Sequence, residues 1–239
     1  PGPAPGPAAH GCRGAMMRAV CLLSGGMDSA TLAYHARHEG YDLICLHLNY
    51  GQRTERKERL AARTIAGLLG AEEFIEIDLA YLARFGGSSL TDHRIAIERF
   101  REGGEGVPAT YVPFRNANLL SIATSCAEAK GAGAVFIGVQ SRDYSGYPDC
   151  QPRFIEAFQR VVDTGTRDGT RISIMAPFLD MTKQEILSLG RTLGVPYEHT
   201  WSCYQDEEKA CGLCGACYFR KAAFEALGMK DPIPYKGDD

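Results

Sequence analysis

The segment from Ser24 to Ser29 reads Ser-Gly-Gly-Met-Asp-Ser, and it follows a short apolar run that begins at Arg18. Two adjacent glycines let the backbone turn tightly and bring its N–H groups against an oxyanion. The helix predicted from about Ala30 adds unsatisfied N–H groups and the positive end of its dipole. The segment also supplies two serine hydroxyls and the Asp28 carboxylate. The carboxylate could orient a Mg²⁺ ion that bridges phosphates. The segment therefore favours a phosphate site over the alternative, a Gly-Gly turn followed by an Asp or Ser helix cap.

A second candidate for anion binding is Lys183, which follows a helix cap predicted at Thr182. A lysine in the first turn of a helix opposes the helix dipole, because cations are favoured at the other end. A phosphate held above that turn would account for the lysine. A solvent-exposed side chain with no such role is the equally weighted alternative.

Four cysteines lie within fifteen residues in the pattern Cys-x7-Cys-x2-Cys-x2-Cys, namely Cys203, Cys211, Cys214 and Cys217. Cys-x-x-Cys turns direct two sulfurs to one point, and four thiolates fill the tetrahedral coordination of a Zn²⁺ ion. A closed site of that kind is structural, because no position is open to water or substrate. The knuckle-like spacing favours zinc over an iron–sulfur cluster, which is the main alternative. A redox Cys-x-x-Cys pair would leave two cysteines without a role.

Predicted strands and helices alternate along the chain, and they must position the loop at Ser24–Ser29, Lys183 and the four cysteines. Strands are predicted at 18–23, 42–48, 73–78, 134–138 and 171–176. Helices are predicted at about 30–39, 54–69, 117–130, 152–164 and 183–193. Gly70 is expected to end the second helix, and Asn116 is expected to cap the third. The alternation predicts an α/β fold with a five-stranded parallel, doubly wound sheet, in which ligands bind beyond the carboxyl ends of the strands.

The chain divides into three predicted sections. Residues 1–16 are rich in Pro, Gly and Ala, cannot bury a core, and are expected to form a disordered leader. Residues 17–194 form the nucleotide-binding α/β domain, and residues 195–239 form a small zinc-binding appendage. Within the domain, residues 81–110 are glycine-rich, charged and without periodicity, which predicts a functional flap or a mobile insertion.

Composition limits the classes of function. A chain of 239 residues, with 45% hydrophobic and 23% charged residues, is typical of a globular protein with one sizeable core. The formal net charge of -3 argues against a broadly basic nucleic-acid binder. No apolar run is long enough to cross a bilayer. The cysteines come without an apolar signal segment, so we expect a soluble protein of the reducing cytoplasm.

The segment from Ser24 to Ser29 resembles the pyrophosphate loop of the ATP pyrophosphatase (PP-loop) superfamily, whose members cleave ATP between the α and β phosphates and adenylate an oxygen of a substrate. Further motifs are Tyr50-Gly-Gln52, Val112-Pro-Phe-Arg-Asn116, Asp143-Tyr-Ser-Gly-Tyr-Pro-Asp-Cys150 and the four-cysteine tail. Together they make the chain similar to the 7-cyano-7-deazaguanine synthase (QueC) family from about residue 18 to residue 227. The resemblance implies an adenine nucleotide alpha hydrolase-like fold.

In that family, ATP adenylates 7-carboxy-7-deazaguanine, ammonia displaces AMP to give the amide, and a second ATP drives dehydration to the nitrile in the same site. The resemblance therefore implies an ATP-dependent, nitrile-forming carbon–nitrogen ligase of queuosine or other 7-deazapurine biosynthesis. It implies one structural Zn²⁺ per chain, ATP as co-substrate, Mg²⁺, small-molecule substrates and a homodimer. It implies no direct contact with nucleic acid or membrane.

The resemblance also implies roles for individual residues. Asp28, Arg115 and Lys183 would be catalytic, the two cations by neutralising charge on the phosphates and the adenylate. The residues that would bind the nucleotide are Leu23, Ser24, Gly25, Gly26, Met27, Asp28, Ser29, Ala30, Thr31, Leu32 and Ala33. Those that would bind the deazaguanine substrate are Arg115, Asn116, Asp143, Tyr144, Ser145, Gly146, Tyr147 and Asp149.

The chain departs from the family pattern at Phe114, where many members carry a small residue. A phenyl ring there could reshape the acceptor pocket, which leaves an amine other than ammonia, such as one on a protein, as an alternative acceptor. A tRNA-thiolating or other amidating PP-loop protein would require a basic RNA-binding extension or a glutaminase domain, which the sequence does not indicate. A silent nucleotide-binding scaffold is disfavoured, because Ser24, Asp28, Ser29 and Lys183 are all in place.

Overall fold

The computed structural model describes residues 17–101, 106–141 and 146–237, so the predicted leader at residues 1–16 lies outside the described residues. Five parallel strands form one sheet in the order β3-β2-β1-β4-β5. The strands are β1 (Arg18–Leu22), β2 (Asp42–Asn49), β3 (Glu73–Asp78), β4 (Ala134–Phe136) and β5 (Ser173–Met175). The predicted five-stranded parallel sheet is confirmed, although β4 and β5 are shorter than predicted.

Helices cover both faces of the sheet. They are α1 (Met27–His38), α2 (Glu55–Leu69), α3 (Arg115–Lys130), α4 (Pro152–Gly165), α5 (Lys183–Thr192) and α6 (Gly215–Ala226). Successive side chains of a strand point to opposite faces, so Cys21 packs with residues of α1, α2, α5 and α6, whereas Val20 packs with residues of α3 and α4. The sheet is therefore doubly wound, as predicted. Among the described residues, no helix combines the length and apolar character that crossing a membrane requires.

Two helices begin earlier than the sequence predicts. α1 begins at Met27, three residues before the predicted start. α3 begins at Arg115, so the prediction that Asn116 caps it is wrong. Phe114 occupies the cap position in a left-handed conformation with a φ of 56°, which is unusual for a bulky residue. The Asn116 side chain instead donates a hydrogen bond to the Asp149 carbonyl oxygen at 3.0 Å, because a tertiary partner competes with the local cap.

Two predicted helix ends are confirmed. Gly70 ends α2 in a left-handed conformation with a φ of 68°, which glycine adopts without the strain that a Cβ imposes. Thr182 caps α5 through a reciprocal box in which its hydroxyl accepts from the Glu185 backbone N–H and the Glu185 carboxylate accepts from the Thr182 backbone N–H. This box fixes where α5 starts, and thereby the position of Lys183.

The segment between β3 and α3 contains the residues predicted to form a flap. The Arg53 guanidinium donates hydrogen bonds to the carbonyl oxygens of Ser89, Asp92 and Ile95 at 2.7, 2.9 and 2.6 Å. Further along, the Phe100 ring stacks on Tyr218 with 4.3 Å between ring centroids. The described parts of the segment are therefore held by Arg53, just before α2, at one end and by α6 at the other.

The residues after position 194 pack into the same core as the helices before them. Tyr197, Ala223 and Phe224 share a buried cluster with residues of α1 and α5. The buried Arg220 guanidinium pairs with both carboxylate oxygens of Asp231 at 2.7 and 3.0 Å, which ties α6 to the segment that follows it. The division at residues 194 and 195 stays a prediction.

Gly190 of α5 packs against Tyr197, in the segment that follows the helix. A Cβ added there would lie 1.8 Å from the Tyr197 hydroxyl and 2.8 Å from the Thr31 hydroxyl, which form a hydrogen bond of 2.8 Å with each other. We expect Gly190→Ala to lower the free energy of unfolding by about 3 kcal/mol, because overpacking a core displaces side chains. Chemical denaturation of purified protein measures this.

Gly67 provides the matched control for that substitution. It lies inside α2, and a Cβ there would meet no heavy atom within 4 Å. Gly67→Ala should stabilise the protein by about 0.5–1 kcal/mol, because alanine has the higher helix propensity. Equal effects of the two substitutions would contradict the packing argument.

Candidate active site

A cavity of about 290 Å³ opens at the carboxyl ends of β1, β2 and β4, where the strand order reverses. Ligands of open parallel sheets bind at such a switch point, because the loops that follow the two diverging strands separate there. Its walls come from the loop after β1, from α2, from the first turns of α1, α3 and α5, and from residues 201–204 and 216–220. Elements from both ends of the chain therefore form one site.

The loop between β1 and α1 is shaped by Gly25. Its φ is 87°, and a Cβ would lie 2.6 Å from the Glu58 carbonyl oxygen and 2.7 Å from the Ala62 backbone nitrogen. Glycine alone satisfies both the left-handed conformation and the close approach to α2. Gly26 is the N-cap of α1 and no side chain caps that helix, so the alternative of an ordinary Asp or Ser cap is wrong. The first turn of α1 keeps its N–H groups for an anion.

The two loop serines contact each other. Their hydroxyl oxygens, Ser24 Oγ and Ser29 Oγ, lie 3.0 Å apart. The Gly26 N–H points at the Ser24 hydroxyl at 3.3 Å, and the Ser29 hydroxyl donates to the Gly26 carbonyl oxygen at 3.1 Å. Both serines line the cavity. The loop therefore presents hydroxyls and backbone N–H groups on one surface, as a phosphate site requires.

Asp28 and Lys183 meet at the cavity although 155 residues separate them in sequence. The Lys183 ammonium donates to Asp28 Oδ2 at 2.5 Å, and the two side chains are 21% and 25% exposed. Asp28 Oδ1 is buried and has no hydrogen-bond partner among the described residues. The alternative of a purely solvated Lys183 is wrong, because α5 places this lysine against Asp28 in the first turn of α1.

Arg115, the first residue of α3, places a second cation in the cavity. Its Nη1 donates to the Tyr50 hydroxyl at 3.1 Å, and the guanidinium lies over the Tyr50 ring at 5.3 Å. Its Nε is buried without a hydrogen-bond partner in the described part of the chain. An unpaired buried donor on a guanidinium is suited to an anionic oxygen.

The predicted substrate-binding residues occupy different positions. Asn116 and Tyr147 line the cavity. The Asp149 carboxylate instead accepts from the Asn116 backbone N–H at 2.9 Å, at the N-terminus of α3. Gly146 faces Pro108, where a Cβ would lie 2.6 Å from the proline ring. The remaining three predictions, Asp143, Tyr144 and Ser145, lie outside the described residues.

Some residues predicted to bind nucleotide point into the core instead. Leu23, Ser24, Gly26, Met27, Asp28 and Ser29 line the cavity. Ala30, Leu32 and Ala33 belong to a buried apolar cluster, and the Thr31 hydroxyl bonds to the Met27 carbonyl oxygen at 2.9 Å and to Tyr197. These four residues of α1 therefore support the loop between β1 and α1 by packing in the core, without lining the cavity. Their place follows from helical periodicity, since only the first turn of α1 reaches the cavity.

The Phe114 ring lies outside the described cavity wall, so the hypothesis that it reshapes the acceptor pocket gains no support from the structure. The ring is 62% exposed, and it packs edge-on against Phe154 with 6.5 Å between centroids. It is not among the described side chains that line the cavity. The left-handed backbone at Phe114 turns its side chain outward while the next residue, Arg115, faces the site.

Several polar residues of the cavity were not singled out from the sequence, and Glu58 and Gln140 are two of them. Glu58, on α2, accepts hydrogen bonds from Thr54 Oγ1 at 2.6 Å and from Gln52 Nε2 at 3.2 Å. Burial raises the pKa of Glu58 to about 7, against the lowering effect of those two hydrogen bonds. Gln140, after β4, is 9% exposed and its Nε2 has no partner among the described residues. The i, i+4 spacing from Thr54 to Glu58 was the available sequence signal.

The four C-terminal cysteines form a second centre, beside the cavity. Their sulfur atoms all lie within 4.8 Å of one another, and all four residues are buried. Backbone N–H groups point at the sulfurs, for example from Cys211 to Cys203 Sγ and from Cys214 to Cys211 Sγ, both at 3.3 Å. Four converging sulfurs with such hydrogen bonds fit a tetrahedral Zn²⁺ ion and leave no open position. The predicted metal-binding set is brought together as expected.

Comparisons with known proteins agree with this geometry. A family model described as "Queuosine biosynthesis protein QueC" matches residues 18–228. A 7-cyano-7-deazaguanine synthase of Methanosphaerula palustris is 64% identical over 220 residues, 92% of this chain and 100% of the relative; one of Methanospirillum hungatei is 59% identical with the same coverage. The fold alone is shared with a 4-thiouridine synthetase in complex with RNA and bound ATP (TM-score 0.50, 20% identity, 92% of this chain and 47% of the other). With most of its length matched, the chain belongs to the QueC family of queuosine biosynthesis proteins.

Proposed function

We propose that this protein is an ATP-dependent ligase that converts 7-carboxy-7-deazaguanine and ammonia into 7-cyano-7-deazaguanine. The observation that carries the proposal is the 64% identity to a relative of that name over the relative's whole length. The cavity supports it independently, because a glycine loop, two cations and an orphaned carboxylate oxygen converge there. The reaction places the protein in the biosynthesis of queuosine or of another 7-deazapurine.

The loop from Ser24 to Ser29 holds the phosphates of ATP through backbone N–H groups and hydroxyls. Lys183 and Arg115 neutralise negative charge as the α phosphorus is attacked and pyrophosphate leaves. Adenylation turns a carboxylate oxygen, and later an amide oxygen, into part of a good leaving group. Ammonia can then displace AMP to form the amide, and elimination of a second AMP gives the nitrile.

A Mg²⁺ ion fits the residues at the loop. Asp28 Oδ1 is a buried carboxylate oxygen without a partner among the described residues, and a hard cation prefers such oxygen ligands. Asp28, with the Ser24 and Ser29 hydroxyls beside it, would hold the ion. The ion would supply charge neutralisation for the phosphates.

Recognition of the deazaguanine falls to the polar groups at the other side of the cavity. Asn116, Gln140 and Tyr147 line it and offer amide groups and an aromatic ring. Asp143, Tyr144 and Ser145 stay sequence-based proposals for the same role. The four cysteines hold a structural Zn²⁺ ion in a closed site. From the family we also propose a cytoplasmic homodimer, with no direct contact with nucleic acid.

The experiment that tests this function is mass spectrometry of the products formed from Mg·ATP, 7-carboxy-7-deazaguanine and ammonium. We expect the nitrile, with two AMP and two pyrophosphate released for each nitrile. Accumulation of the amide, or of an adenylate that no added ammonium consumes, would contradict the proposal and indicate another amine acceptor.

A further inference from the structure

The Glu58 carboxylate is fixed beside the phosphate loop. The Glu58 carbonyl oxygen would lie 2.6 Å from a Cβ at Gly25, so this turn of α2 rests directly on the loop. The side chain lines the cavity. Thr54 donates to one carboxylate oxygen and Gln52 to the other, at 2.6 and 3.2 Å. Because each carboxylate oxygen has two lone pairs, the group is oriented and still able to accept a further proton donor.

Glu58 forms no ion pair with any described residue, because the charged groups near it are engaged elsewhere. The charged and titratable groups that face it are the Arg115 guanidinium of α3, the Tyr50 hydroxyl after β2 and the Glu207 carboxylate of the cysteine-rich segment. Arg115 directs Nη1 to Tyr50, and Glu207 pairs with Arg56 at 2.8 Å. Lys183 is paired with Asp28. A partly buried carboxylate that the fold leaves unpaired is a candidate for a functional group.

The reaction proposed above needs a proton acceptor in both halves. In the first half, an ammonium ion loses a proton, the nitrogen lone pair attacks the acyl carbon, a second proton leaves nitrogen, and the bond from carbon to the AMP oxygen breaks. In the second half, the amide nitrogen carries two protons. One leaves before the carbon–oxygen bond to AMP breaks. The other leaves while that bond breaks and the nitrile triple bond forms, and AMP departs with the bonding electron pair.

We propose that the Glu58 carboxylate is the general base that accepts these nitrogen-bound protons in amide formation and in nitrile formation, one at a time, with each proton released to solvent before the next is accepted. The assignment rests on the proposed function and extends it to a named catalytic residue. Asp28 is engaged with Lys183, and the Asp149 carboxylate accepts from the backbone of α3. Glu58 is the acidic side chain of the described cavity wall that is oriented by neutral donors alone.

The first test separates substrate activation from proton transfer. Exchange of labelled pyrophosphate into ATP, with 7-carboxy-7-deazaguanine and no amine, reports adenylation alone. We expect Glu58→Gln to exchange within about threefold of wild type, because glutamine keeps the shape and an oxygen acceptor for Thr54. Nitrile formation from the amide should fall by about 100-fold or more, the usual contribution of a general base. Glu55→Gln, one turn earlier on α2, is the matched control and should leave both rates unchanged.

The second test uses pH, with the amide as substrate so that the titration of ammonia does not contribute. Burial raises the pKa of Glu58 to about 7, and a base acts in its deprotonated form. The wild-type rate should therefore rise through about pH 7, level off above it, and be lost as the pH falls. The rate of Glu58→Gln should not rise with pH in this range. The rate of Glu58→Asp should still rise with pH, but it should be lower than that of wild type throughout.

Three outcomes would overturn the assignment. One is equal loss of exchange and nitrile formation in Glu58→Gln, which would mean that Glu58 supports ATP binding or the fold. Another is a near-normal nitrile rate in that variant. A third is the same rise of the rate with pH in the variant as in wild type. A wild-type protein that shows no exchange would instead overturn the proposed function itself, and the base assignment with it.

Discussion

Asp28→Asn should lower the rate of pyrophosphate release by about 1,000-fold, comparable with the loss of a group that stabilises transition-state charge. Asparagine keeps the size of the side chain but removes the charge that Lys183 and a bound Mg²⁺ ion would both meet. The fold should survive, because the other contacts of the loop are made by backbone and by serine hydroxyls. A coupled assay for pyrophosphate, with a thermal melt of the same sample, measures both.

A double variant distinguishes chemistry from structure at this pair. If Asp28 and Lys183 formed only a structural ion pair, the loss of one partner would leave an uncompensated charge, and removing both would relieve it. Asp28→Asn combined with Lys183→Gln would then recover activity. We expect the double variant to be at least as inactive as Asp28→Asn, because each group acts on the phosphates. Recovery to within about tenfold of wild type would contradict the catalytic roles of both residues.

The sheet and the loop could be predicted from sequence because their signals are local. Five apolar runs alternate with helical segments, and two adjacent glycines follow the first run. Parallel strands carry their own loops to one edge of the sheet, so the order of elements is enough to place the site there. The sequence drew attention to Lys183, because a cation in the first turn of a helix conflicts with the dipole. The sequence suggested a phosphate as its partner, whereas the described partner is the Asp28 carboxylate.

Partners distant in sequence explain what could not be predicted. Asparagine is a common helix cap, but Asn116 is engaged by Asp149, which lies 33 residues away in sequence. The Asp149 carbonyl oxygen accepts from the Asn116 side chain, and the Asp149 carboxylate accepts from the Asn116 backbone N–H. Phe114 has no local reason for a left-handed backbone. Glu58 is one of several charged residues on an amphipathic helix, and its place in the cavity wall depends on how α2 packs against the loop after β1. Such facts depend on tertiary packing, which a single sequence does not display.

The four-cysteine centre is connected to the cavity by the side chains packed around it. Trp201, Cys203, Cys211, Ile233 and Tyr235 belong to one buried cluster around the sulfurs. From this region, Trp201, Tyr204, Ala216 and Phe219 reach the cavity wall. A metal ion held by these four sulfurs would add to the folding free energy of this small cluster, because such a site does not exist in the unfolded chain. Removal of one ligand should therefore affect stability and catalysis together.

Cys214→Ala should reduce bound zinc from one ion per chain to a small fraction and lower the melting temperature by about 10 °C, which corresponds to a few kcal/mol for a chain of this size. Cys126→Ala is the matched control, because Cys126 lies on α3 away from the cluster, and it should keep both the metal and the activity. Elemental analysis of the two variants and of wild type checks the assignment. Stoichiometric iron and sulfide in the wild type would contradict it, since a closed tetrahedral zinc site has no place for a cluster. Full activity in a zinc-free Cys214→Ala protein would show that the cavity wall holds without the metal.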